Sequence, residues 1–395
     1  MNTNWKNRES IFSYLDEYSH NTKEQIDSLK VKNTLLKSYV FETFDENLYN
    51  NGKIHREETS INTLFTDTKH SVEQIDEELF ILHEHDKPIG FIEQINSRFS
   101  TLYTTEPSKF SDRLTLSYVK NSTILDSLWI SGKMFDKFLN DITSYHHSQR
   151  FTRMKFEFNA MFEQDHLENN GIQEHKVSSV SLVEELGGIV EKLDGVRQYF
   201  SSFYSVGSLR FPSNVGRGGH DVYQNGKFTN RSDSFTDHRV QLREVVKVYQ
   251  EMTERLEKKV WIEANEINNN LNGTSFKASP VTIKFNKPLR CHVFNNFVES
   301  TFPKGREPFK IYGEIKRFSE EHVHIYGVDL HLWQNVMLDL STTEFILFLP
   351  KGTCGNTIHR LVTNIQRFLD PEINVYIGDI PYERILDEVI GGQSS

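Results

Sequence analysis

The most hydrophobic stretch of this chain, residues 345–349 (FILFL), is no longer than one β-strand. A membrane-crossing helix needs about 18 or more consecutive apolar residues, and no run approaches that. The core must therefore be assembled from short strands and from helices that hide a single face. Twenty-nine Phe, 15 Tyr and 4 Trp supply ample material for it. Against three Ala the chain carries thirty Asn, so its helices must be built from Leu, Glu, Lys, Ile and Val rather than from the best helix former. That usage points to an AT-rich coding genome. At 395 residues the chain has the length of about two domains, at roughly 150 residues each.

The two cysteines, Cys291 and Cys354, lie in no CxxC spacing. This excludes a disulfide framework and a thiolate-rich zinc site. The N-terminal MNTNWKNRES has no apolar core segment, so it does not read as a secretory signal. The expectation is a cytoplasmic protein with no membrane partner.

Apolar residues at helical spacing (Ile11, Phe12, Leu15 and Tyr18, then Ile26, Leu29, Leu36, Val40 and Phe41) predict helix across most of the first 50 residues. Residues 60–65, 78–83 and 88–94 are short β-branched or aromatic runs and predict strands, with a turn at Asp86-Lys87-Pro88. Residues 125–147 read as helix with a break or cap at Gly132. Over 153–162, Met154, Phe156, Phe158 and Ala160 share one face, which predicts a half-buried strand. Residues 163–176 are polar and read as a loop; 181–204 read as a helix interrupted at Gly187-Gly188.

Residues 205–239 are the least regular stretch, with five glycines, and read as a long loop. Within it Asn225-Gly226 signals a hairpin. Leu242, Val245, Tyr249, Met252 and Leu256 then predict a long amphipathic helix, ended by NNNLNG at 268–273. Beyond it, strands are predicted at 281–285, 309–318, 322–333, 343–350 and 374–379, with helices at 356–369 and at the C-terminus. The fold class is thus α+β. An N-terminal mixed helix/strand domain covers 1–180. A helical segment with the irregular Gly/Arg loop covers 181–273, and a compact C-terminal α/β domain of about five strands covers 274–395.

Charge is segregated along this order. The chain carries a net −10, yet residues 276–317 hold nine Lys/Arg against three Asp/Glu, while 1–100 and 318–395 are each net −7. Such a segment either faces an anion or pairs with the acidic parts of its own chain. Phe276, Phe285, Phe294, Phe297, Phe302, Phe309 and Tyr312 interleave with its cations. Periodicity assigns most of these rings to the core, which leaves the cations as the contact set. The loop at 205–239 adds arginines, with glycines flanking Arg217 that would let backbone approach a ligand. The expected anion-binding residues are Arg210, Arg217, Lys227, Arg231, Arg239, Lys284, Lys287, Arg290, Lys304 and Arg306.

Lys351 and Arg360 join them from PKGTCGNTIHR (350–360), a strand–loop–helix passage able to offer free N–H groups to an anion. That passage lacks the Gly-Lys-Ser/Thr of a nucleotide-binding P-loop.

Two patterns point to catalysis instead. His322 and His324 share a strand face and could ligate a divalent metal, as could His83 and His85. Glu314-Ile315-Lys316 is half of a metal-dependent nuclease pattern, with no acidic partner on an upstream strand. His220-Asp221 and Asp237-His238 offer acid–base pairs without a nucleophile motif.

The reading these features favour is a non-catalytic binding or assembly subunit without a cofactor. It would hold a nucleic acid or other polyanion on a basic surface formed by 205–243 and 276–317. The acidic N-terminal region would contact a protein partner or a second copy. The alternatives are a metal-dependent nuclease or hydrolase centred on Glu314/Lys316 or His322/His324, and a protein-interaction module whose charges satisfy each other. A role in a bacterial host-conflict (phage defence) system fits the composition as a background expectation.

Overall fold

A computed structural model describes residues 5–29, 33–43, 60–163, 177–267, 273–277 and 279–387. Among these, nine helices and two almost wholly antiparallel sheets make an α+β fold. The expected loop at 163–176 and the expected boundary at 268–273 fall almost entirely outside the described residues.

The N-terminal half opens with α1 (Arg8–Asp27), capped by the Asn7 side chain on the Ser10 N–H. Next come β1 (Lys37–Glu42), α2 (Ile61–Phe65), β2 (His70–Asp76), β3 (Leu79–Glu84), β4 (Lys87–Gln94) and β5 (Phe99–Thr104). They are followed by α3 (Ser108–Asn121), β6 (Asp126–Ser127), α4 (Gly132–Tyr145), β7 (Phe151–Asn159), β8 (Val177–Glu185) and α5 (Leu186–Arg197). The half closes with β9 (Val206–Pro212), β10 (Gly219–Tyr223) and β11 (Lys227–Asn230). The sheet order is β2-β3-β4-β5-β1-β11-β10-β9-β7-β8, with β6 beside β1.

α6 (Phe235–Val260) then carries the chain to the second sheet. That sheet contains β12 (Trp261–Ile267), β13 (Gly273–Lys277), β14 (Val281–Phe285), β15 (Ile311–Ser319), β16 (His322–Asp329), β17 (Gln334–Ser341), β18 (Glu344–Pro350), β19 (Ile373–Ile377) and β20 (Ile380–Pro381). Its order is β15-β16-β17-β18-β14-β19-β20, with β12 joining β18. α7 (Cys291–Thr301), α8 (Asn356–Phe368) and α9 (Tyr382–Asp387) complete it.

Several expectations are corrected. The irregular 205–239 loop is three strands in the middle of the first sheet. β9 and β10 are buried along nearly their whole length, so the period-2 alternation that marks a half-exposed strand is missing. The hairpin at Asn225-Gly226 is present, joining β10 to β11 with Gly226 at φ +73. Leu36, Val40 and Phe41 belong to or border a strand, not a helix, and every residue of β1 is buried. The 60–65 run is a short helix, begun by the Ser60 side chain on the Thr63 N–H. The 181–204 helix starts only at Leu186, after β8. In the C-terminal half β17, at 334–341, is an additional strand.

One hydrophobic cluster runs through both sheets and is lined by α6 residues such as Leu242, Tyr249 and Leu256. A second, built from Phe41, Phe65, Leu102 and Tyr118 among others, packs α2 and α3 on the opposite face of β1–β5. That double cover explains why β1 and β5 are buried throughout.

Two buried ion networks tie distant segments together. Arg98 donates to Glu42 and Glu257, which links the first sheet to α6. Arg360, fully buried on α8, donates to Asp126, Asp329 and the Phe309 carbonyl. No helix among the described residues is long and apolar enough to cross a membrane.

Candidate functional site

The fold divides the expected anion-binding residues into those already paired and those left to solvent. Arg210 and Arg231 both donate to Asp221, 2.6 Å away from Arg210 Nε. Burial raises the Asp221 carboxyl, but these guanidiniums outweigh it and hold the carboxyl below the usual range. Arg239 grips the fully buried Glu93 together with Arg243 and Arg8. Lys227 lies 2.6 Å from Asp112, and Arg290 lies 2.6 Å from Glu163. Arg360 is 0% exposed and cannot face a ligand. Arg210, Arg231, Arg239 and Arg243 thus act as counter-ions to the buried Asp221 and Glu93, because a desolvated carboxylate needs a partner. Arg217 remains exposed, beside Glu24, Asp27 and Asp233.

The expected anion site at the start of α8 is filled from within the chain. The Gly355 N–H donates to Glu257 Oε1 at 2.8 Å. Asn356 donates to the Ser127 carbonyl. Lys351 stays exposed in the preceding turn.

Lys284, Lys287, Lys304, Arg306 and Lys316 are exposed as well. Lys284 is loosely paired, 3.9 Å from Glu344. Lys304 and Arg306 line a cleft of about 860 Å³ with Lys120 from α3. Arg306 reaches Met161 Sδ, and none of the three forms a carboxylate ion pair among the described residues. This cleft lies at the seam between the two halves. Lys310, 2% exposed on its floor, donates to the carbonyls of Val119 and Leu125. The β16–β17 turn docks on the same segment, with the Leu332 N–H on the Thr123 carbonyl at 2.6 Å and His331 Nε2 on the Ile124 carbonyl at 2.8 Å.

That turn holds Trp333 at the cleft rim, 60% exposed. Leu332 and Trp333 are both left-handed, at φ +71 and +55, and Lys310 is left-handed at φ +54. Three of the five such non-glycine residues among those described therefore sit at one cleft. Backbone strain of this kind concentrates at binding and catalytic sites. Gly305, at φ +56, shapes the turn that presents Lys304 and Arg306; a Cβ there would meet Leu330 at 2.7 Å. Burial pushes the Glu307 carboxyl up, with Lys310 opposing.

Next to the cleft, the outward face of β15–β18 forms an apolar groove of about 1250 Å³. It is lined by Tyr312, Tyr326, Met337 and Phe348. Glu314 and Lys316 point outward from β15 on this face, and among the described residues that line the groove Glu314 is the one carboxylate. The Lys316 ammonium lies over the Phe318 ring. One row along, His322 and His324 are joined by Asp339 of β17, directly opposite His324 in the ladder. His322 Nε2 lies 2.7 Å from Asp339 Oδ1, and His324 Nε2 lies 3.5 Å from Asp339 Oδ2. His83 and His85 join no such cluster among the described residues.

Of the expected acid–base residues, His220, Asp237 and His238 meet, while Asp221 is held by Arg210 and Arg231. Ser38, His238, His220, Asp237 and Ser213 form one buried hydrogen-bonded chain. Burial raises the Asp237 carboxyl, yet donors from His220 and Ser213 overcome it and hold the carboxyl at about 2. Burial, reinforced by the neighbouring His220, drives His238 far down.

Lys120, Trp333 and Asp339 were not among the sequence candidates. Trp333 sits in a turn with no glycine or asparagine to mark it. Asp339 lies on the strand the pattern left unassigned, 15 residues from its histidine.

Two comparisons place the chain among known proteins. The family described as MJECL33-like protein matches residues 1–383. A relative from Methanocaldococcus jannaschii, described as uncharacterized protein MJECL33, is 24% identical over 407 aligned positions, covering 93% of each chain. With a match over nearly its whole length, the chain belongs to the MJECL33-like protein family.

Proposed function

We propose that this protein is a binding subunit that takes single-stranded nucleic acid in the cleft between α3 and the 302–310 segment. Trp333 is the observation that carries the reading. A large ring is held 60% exposed on a turn with two consecutive left-handed residues, above Lys120, Lys304 and Arg306. An exposed indole offers a stacking surface to an unpaired base, and the cations neutralise the phosphates on either side. The adjoining groove presents Tyr312 and Tyr326, each about half exposed, to bases further along the strand. The basic surface is therefore narrower than 205–243 plus 276–317, because the cations of 205–243 are largely consumed by Asp221, Glu93 and Asp112.

Fluorescence anisotropy with labelled single- and double-stranded DNA and RNA, over a salt series, tests this. Three phosphate contacts on a single strand predict a slope of log K against log salt of about −2, at roughly 0.7 per contact. Lys304→Ala should weaken binding and flatten that slope by about 0.7, whereas Arg217→Ala should change neither. No salt-sensitive binding at low salt would overturn the reading. Divalent-metal-dependent shortening of the probe would replace it with the nuclease alternative.

A further inference from the structure

We propose that His322, His324 and Asp339 form an exchangeable binding site for a divalent transition metal of the zinc class, on the open face of the second sheet. The site does not depend on nucleic-acid binding. It follows from the ladder: side chains two apart on β16 share a face, and β17 places Asp339 directly across from His324. Among the described residues this is the one group of three His, Cys, Asp or Glu whose ligand atoms all lie within 4.8 Å.

The spacing suits a small tetrahedral ion. Ligands about 2.1 Å from such an ion stand roughly 3.4 Å from one another. His322 Nε2 lies 2.7 Å from Asp339 Oδ1 and His324 Nε2 lies 3.5 Å from Asp339 Oδ2, and one ligand atom from each of the three residues lies within 4.8 Å of the others, a spread that side-chain rotations can close onto one ion. An ion would take the place of the shared hydrogen between His322 and Asp339.

The surroundings favour the same atoms. The Tyr326 hydroxyl lies 3.5 Å from His324 Nδ1 and can accept its N–H, which leaves Nε2 as the ligand. Phe318 packs against both rings, its centroid 5.3 Å from His322 and 4.4 Å from His324, and walls off one side. All three ligands keep partial solvent contact, with side-chain exposures of 41, 21 and 32%. Three protein ligands with an open fourth position describe an exchangeable site rather than a closed structural one. Two imidazoles and one carboxylate select zinc, cobalt or nickel over magnesium or calcium, which prefer all-oxygen sets.

The test uses the full chain after metal stripping. Zinc is titrated by calorimetry, and Co²⁺ is followed by visible absorption. One equivalent per chain is expected, with the intense bands of a tetrahedral cobalt site, and Mg²⁺ should give no saturable heat. His322→Ala, His324→Ala and Asp339→Ala should each weaken zinc binding more than about 100-fold, since even the loss of an outer-shell partner costs 10–100-fold. His20→Ala, on the exposed face of α1, should leave it unchanged. Absence of a stoichiometric zinc site in the wild type would overturn the proposal, as would undiminished affinity in the three ligand variants. If a variant fails to fold, the wild-type cobalt spectrum decides: octahedral, weak bands refute the site.

Discussion

Replacing Trp333 by glycine separates a binding residue from a structural one. The indole is 60% exposed, so about two-fifths of its surface is buried. On a Trp of roughly 250 Å² that is about 100 Å², or about 2.5 kcal/mol at 25 cal/mol/Å² as an upper value. Glycine returns about 1–2 kcal/mol, because a left-handed φ of +55 costs that much in any residue with a Cβ. The freer unfolded chain takes back about 0.5–1 kcal/mol. Trp333→Gly should therefore lower stability by about 1–2.5 kcal/mol, below the 3–5 kcal/mol of a core aromatic. The same change removes a stacking platform worth about 1–3 kcal/mol per base, so affinity for a single strand should fall about 5- to 150-fold. Urea unfolding followed by circular dichroism reads the first quantity, and anisotropy at fixed salt reads the second. A stability loss above 3 kcal/mol would make Trp333 a packing residue. Wild-type affinity in a folded Trp333→Gly protein would remove it from the binding site.

Two further predictions concern buried charge. Arg360→Met leaves Asp126 and Asp329 buried without their shared cation and should cost about 3–5 kcal/mol in urea unfolding, nearly independent of salt. A loss under 1 kcal/mol would show that the network is not holding the halves together. Burial holds His359, bonded to Tyr382 and Thr253, down to about 3. Below its unfolded value near 6.5 the unfolded chain binds the extra proton, so stability falls as pH drops, by about 2 kcal/mol from this residue between pH 6.5 and 5. His359→Gln should lose that much less than wild type over the same interval; parallel pH profiles would contradict the assignment.

Elements whose apolar residues recur at a regular period were legible from the chain itself, even α8, which is buried on all sides along most of its length. β7 and β16 alternate, the α8 stripe of Ile358, Leu361, Val362 and Ile365 repeats at helical spacing, and Asn225-Gly226 announces its hairpin. β1, β5 and β9 were not legible as strands, because packing covers both their faces and erases the alternation. A short helix such as α2 depends on its cap and its packing on Phe41 more than on any periodicity.

Charge shows the same division. The sequence by itself determined that residues 276–317 are basic, that His322 and His324 share a face, and that the core must be assembled from short pieces. The tertiary structure decided which cations remain available. Arg360 meets Asp126 across 234 residues, Arg239 meets Glu93 across 146, and Asp339 arrives beside His324 only when β17 pairs with β16. Periodicity is a local property, set by bond geometry and side-chain direction, so it can be read along the chain. Neutralisation of a desolvated charge is a contact between segments brought together by folding, and linear spacing carries no record of it.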